Sequence, residues 1–132
     1  MTRTSLLRYV PAVLWMGLTF WLSSSPDIQG AASWIDLRPP LDKVAHALSF
    51  GILALLFYLA TGRALLSVLL ASLYGVTDEF HQSLVPGRDA DLFDWLADTL
   101  GAALAVSAVL ALTRWRPRWT RRWTERRTKK LQ

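Results

Sequence analysis

The sequence predicts an all-α polytopic membrane protein, a four-helix transmembrane bundle followed by a basic tail. Three observations predict it. Of 132 residues, 52% are hydrophobic, more than a soluble chain of this length hides in its core. The apolar residues gather into four runs, at 6–23, 44–60, 65–81 and 92–112, each near the ~20 residues that cross a bilayer as a helix. Lysine and arginine are also segregated. Twelve of the fifteen fall before the first run's second turn, in the turn between runs two and three, or after run four, which assigns those segments and both termini to the cytoplasm.

The first run follows Arg3, contains Arg8 and ends at Ser23-Ser24-Ser25-Pro26, a pattern that a secretory signal shares. It is long for a signal core and three further runs follow, so a retained first helix is expected. Pro26, Gly30, Pro39 and Pro40 make the next stretch a turn-rich loop, with Trp34 and Ile35 resting at the outer interface. The second run leads into a tight Thr61-Gly62-Arg63 turn. The third is unbroken only to Val76. It reaches membrane length if the helix continues through Asp78 and Glu79 inside a protein bundle. In the fourth, Ala97, Gly101 and Ala105 recur every four residues and allow a neighbouring helix to approach closely. The division is therefore a membrane domain at 1–112 and a tail at 113–132. Trp115, Trp119 and Trp123 alternate with arginines in that tail, as in an interfacial helix beginning near Pro117. Membrane anchoring explains this pattern, so nucleic acid is not expected as a partner.

Nine of the ten acidic residues lie on the non-cytoplasmic side of this arrangement. Ionisable groups are costly near hydrocarbon and mark a site unless they satisfy one another. Asp91, Asp94 and Asp98, spaced i, i+3, i+7, share one face of run four, with Asp98 about 10 Å along the axis from Asp91. Asp42 and His46 share a face of run two. On run three, Asp78 is expected to pair with Gln82 at i+4 and with His81 at i+3. The available cations are Lys43, Arg88 and the two histidines, and they are outnumbered. A Pro86-Gly87 turn is expected to fold Arg88 back as a clamp on Asp91 or Asp94. The expected ligand-binding set is Asp42, Lys43, His46, Glu79, Gln82, Arg88, Asp94 and Asp98. The absence of cysteine excludes disulfides, thiolate metal sites and thiol nucleophiles.

In this order, Asp42-Lys43-x-x-His46, Gly75-x-x-Asp78-Glu79-x-x-Gln82, Pro86-Gly87-Arg88 and Asp94-x-x-Asp98-x-x-Gly101 resemble the VanZ-like membrane proteins of bacteria. The resemblance covers about 41–105, with Asp98 standing where the family often has asparagine. It implies a small polytopic protein of the cell envelope, in a family named for a member associated with low-level resistance to the glycopeptide teicoplanin. It implies no settled reaction.

The leading reading is a binding module at the outer face of the bacterial cytoplasmic (inner) membrane. Lys43, Arg88 and the histidines would hold the phosphate or carboxylate head group of a membrane lipid or a lipid-linked cell-wall precursor. A hydrolase or transferase reading uses His46 or His81 as general base, or gathers His46, Asp78, Glu79, His81 and Asp94 around a divalent ion. The spacing itself assigns no metal site and no cofactor: Glu79 and His81 are two apart, so His-Glu-x-x-His is absent. A purely structural polar network and a proton relay through Asp78, Asp94 and Asp98 complete the alternatives. Oligomeric state has no signal in the sequence.

Overall fold

The computed structural model describes residues 6–24, 41–86, 88 and 90–114. The expectations for Trp34 and Ile35, for Gly87 and for the tryptophan-bearing tail lie outside these residues. Four α-helices and no strand occur among the described residues. They are α1 (Val10–Ser23, led in by a 3-10 turn at Leu7–Tyr9), α2 (Leu41–Thr61), α3 (Ala64–Gln82) and α4 (Leu92–Arg114).

Each boundary has a local cause. Pro11 sits in the first turn of α1, where its missing N–H and fixed φ do no harm. Between α2 and α3, Gly62 takes φ +66° and its N–H donates to Tyr58 O at 2.8 Å, a left-handed close that glycine adopts without strain. Just ahead of α3 the Thr61 hydroxyl accepts from the Arg63 N–H at 3.1 Å and pairs with the Ser67 hydroxyl at 2.9 Å. Asp91 opens α4, its carboxylate accepting the Phe93 N–H at 2.8 Å, as an N-cap aspartate does. As expected, α3 continues through the acidic stretch, with Asp78, Glu79 and Gln82 all buried. Helix α2 begins at Leu41, ahead of the expected 44, so Asp42 and Lys43 belong to its first turn.

Helix α2 is the hub and packs most extensively along α4. The two run parallel, and small residues set their separation. Gly51 and Ala105 meet along the seam, and a Cβ on Gly101 would fall 2.0 Å from the Ala47 carbonyl oxygen. Below this contact Phe50, Leu53, Ala54, Phe57, Ala102 and Val106 form the apolar core. Hydrogen bonds stitch the remaining helices: Trp15 to Ser49 O at 3.1 Å, Tyr74 to Met16 O at 2.7 Å, and Trp95 to Ser72 O at 3.1 Å.

Above the apolar core one end of the bundle is polar inside, while much of the outer surface of the described helices is apolar. Leu48, Leu59, Leu69, Leu73, Phe80 and Leu104 all point outward with more than half their surface uncovered, whereas Asp78, Glu79, Gln82, Asp94 and Asp98 are buried. Two helices, α2 and α4, are long and apolar enough to cross a membrane unaided, and only 28% and 22% of their apolar windows is buried. The core helix of a soluble domain would hide most of such a window.

Candidate functional site

The buried acids gather at one end of the bundle, where α1 and α3 finish and α2 and α4 begin. The described arginines of the helix ends, Arg8, Arg63 and Arg114, sit at the other. Because α2 and α4 run parallel in close contact, their first turns face each other rung by rung, Lys43 against Asp94 and then His46 against Asp98. The Ala47–Gly101 contact forms the next step down. The backbone approach that the glycine permits therefore brings these ionisable groups within bonding distance.

In the upper rung Lys43 Nζ donates to both Asp91 and Asp94 and lies 3.5 Å from Asp42. This is where an Arg88 clamp was expected, and the structure corrects it. Lysine from α2 takes that place because it projects from the adjoining helix. Arg88, in the connecting loop, instead donates through Nη1 to Ser23 O at 3.3 Å, at the carbonyl end of α1 where a cation is favoured. Among the described residues Arg88 forms no ion pair. The Lys43 ammonium, together with the Phe93 N–H, holds the half-exposed Asp91 carboxyl below the usual carboxylate range.

In the lower rung His46 Nδ1 lies 3.0 Å from Asp98 Oδ1. Glu79 joins from α3, one oxygen fixed by the Asp91 backbone N–H at 2.7 Å. One donor atom from each of His46, Glu79 and Asp98 falls within 4.8 Å of the others. Glu79 Oε1 and Asp98 Oδ2 are buried without a hydrogen-bond partner among the described residues. Gly75 makes room here, since a Cβ at that position would stand 3.1 Å from Asp98 Oδ2.

Asp78 and His81 belong to a third group, the joint between α1 and α3. Asp78 accepts from the Ser23 hydroxyl at 2.8 Å and from Gln82 Nε2 at 2.9 Å. The expected Asp78–Gln82 pairing is thus present. His81 turns instead to the Ser24 hydroxyl at 2.8 Å and stacks on Phe20, so it meets neither Asp78 nor the His46 group. Sequence reasoning missed Ser23, Ser24 and Tyr74. Serine and tyrosine near an apolar run carry no periodic signal, although the serine cluster closing run one was visible as an end.

The structure thus joins Asp42, Lys43 and Asp94, and separately His46, Glu79 and Asp98, while Asp78, Gln82 and His81 tie α3 to α1. In the first group one ammonium is shared by three carboxylates, while in the second an oxygen on each of two carboxylates has no partner among the described residues. Such a cluster can hold a cation or hydrogen-bond donors, and its acid excess repels an anion unless Arg88 receives it. No curated protein and no solved structure matches the chain. The family model described as VanZ/LLP1 matches residues 7–113, taking in all four helices and every residue of both rungs, and the chain belongs to that family.

Proposed function

We propose that this protein is a four-span protein of the bacterial cytoplasmic membrane, with both termini inside. Its outward-facing polar end binds the head group of an envelope lipid or a lipid-linked cell-wall precursor and thereby contributes to glycopeptide resistance. The observation that carries the reading is the inversion of the bundle: four buried carboxylic residues at one end of helices whose outer surfaces are leucine and phenylalanine. Lipid satisfies such an exterior, and in a membrane so expensive an interior is kept for a function. Helices α1 and α3, short of unaided spanning, are carried by the bundle, which shelters the acidic end of α3.

The ion pairs refine which residues meet a ligand. Lys43 is already neutralised by Asp91 and Asp94, so Arg88 is the group that faces phosphate. The carboxylates of Glu79 and Asp98 then accept from hydroxyls or an amine of the same head group.

Lipid mass spectrometry on gently purified protein, comparing wild type with Arg88→Ala, tests this reading. A specific phosphate-bearing lipid should co-purify with wild type and fall at least tenfold in the variant, and teicoplanin susceptibility of the host should rise in parallel. Because the chain has no cysteine, a single Arg88→Cys substitution also reports orientation. Labelling from outside the cell supports the proposal, and labelling only from the cytoplasm refutes it.

A further inference from the structure

Two buried carboxylate oxygens without partners are an unusual expense, because each loses water and gains nothing in return. Here they lie in the same small group. Glu79 is 8% exposed and Asp98 fully buried, and their orphaned atoms are Oε1 and Oδ2. Each carboxylate is anchored through its other oxygen, Glu79 by the Asp91 N–H and Asp98 by His46. Ligating carboxylates are commonly oriented by such bonds. Like charges so close repel in a low dielectric, and Lys43 is occupied one turn away by three other carboxylates.

We propose that His46, Glu79 and Asp98 form a binding site for one divalent metal ion. Charge supports it: two carboxylates, a neutral imidazole and a dication sum to zero, the balance a buried site requires. Geometry supports it as well. The unpartnered Glu79 Oε1 and Asp98 Oδ2 supply ligand atoms that no hydrogen bond occupies among the described residues. Where His46 supplies Nδ1 to the ion, the proton it shares with Asp98, carried beforehand by an imidazolium or a carboxylic acid, leaves to solvent as the metal enters, and the ring stays neutral with its proton on Nε2. The longer separations among the donor atoms, up to 4.8 Å, close by rotation of the Glu79 side chain. One imidazole nitrogen and two carboxylates, with no thiolate, suit Zn2+ or Mn2+ rather than a soft ion. Three protein ligands leave coordination positions open. Binding of the ion itself does not rest on the head-group reading.

The test uses the full chain in detergent with no lipid added. After removal of adventitious metal with chelator, Zn2+ or Mn2+ alone is titrated and followed by calorimetry and by Mn2+ electron paramagnetic resonance. Wild type should bind about one equivalent with micromolar or tighter Kd. Glu79→Gln and Asp98→Asn should each weaken binding at least tenfold, while His81→Gln binds as wild type. Pulsed measurements on the Mn2+ complex should show a histidine nitrogen coupling that His46→Gln removes, a signature that reduced stability alone would not produce. Folded wild type that binds neither ion at millimolar concentration overturns the proposal. So does a protonated-carboxyl infrared band that Glu79→Gln abolishes in protein saturated with metal, since a shared proton would then occupy the site. Lipid capture by protein that binds neither ion leaves the head-group reading standing while this one falls.

Discussion

The two rungs of the α2–α4 seam are one helical turn apart and built from the same kinds of residue, yet they are balanced differently. In the upper rung a single ammonium is shared by Asp42, Asp91 and Asp94. In the lower rung, His46 has Asp98 and leaves an oxygen on each of two carboxylates unused. The upper rung has the construction of a fastening, in which removing the lysine leaves three carboxylates without their cation. The lower has the construction of a receptacle, complete only when something else enters. Their common support is the glycine contact below, so perturbing that contact should disturb both.

The largest effect is accordingly expected at Gly101. A methyl group there would meet the Ala47 carbonyl, which is backbone and has no way to yield without moving a helix. Gly101→Ala should cost about 3 kcal/mol or more, at the upper end of overpacking effects, and Gly101→Leu should give no monodisperse protein in detergent. Gly51→Ala, whose Cβ would meet Ala105 and Gly101 at 3.3 Å, should cost less than about 1 kcal/mol. Equal thermal stability of Gly51→Ala and Gly101→Ala variants would show that the seam is not set by this contact.

Next come paired substitutions expected to have opposite signs. Lys43→Met removes the cation from three carboxylates and should destabilise by about 2 kcal/mol, discounted from a fully buried pair because the lysine is partly exposed. Glu79→Gln, measured in chelator, should stabilise by about 1 kcal/mol, because it deletes a charge and supplies an amide donor for Asp98 Oδ2. Thermal melts of both variants decide the matter. If Glu79→Gln proves as damaging as Lys43→Met, the lower rung is a fastening too.

Much of this was legible beforehand, and the boundary is instructive. The i, i+4 spacing of Asp94 and Asp98 was sufficient to put both on the inner face, and the repeat of Ala97, Gly101 and Ala105 announced a close neighbour without naming α2. Continuation of α3 through Asp78 and Glu79 was expected only on condition that a protein bundle sheltered those acids, and the helix does run to Gln82. The partner of each acid was not legible. Whether Lys43 or Arg88 meets Asp94 depends on which helix lies beside α4 and on their relative direction, and spacing within one helix contains neither. Ser23 escaped notice for a related reason. Its hydroxyl matters only because α1 ends level with Asp78, a tertiary coincidence.

The smallest expected effect is a pH dependence at the exposed edge of the upper rung. Asp91 titrates below the ordinary carboxylate range because Lys43 and the Phe93 N–H favour its charged form. A depressed folded-state pKa contributes stability that is fully present above the unfolded value, near 3.9, and is lost as pH falls through the lower folded value. Asp91→Asn should therefore melt slightly below wild type at pH 6, and the difference should shrink as pH falls below about 4. A gap between Asp91→Asn and wild type that is unchanged from pH 6 to 3 would mean that Asp91 acts through its helix-capping geometry alone. The upper rung would then be held by Asp94 and Asp42.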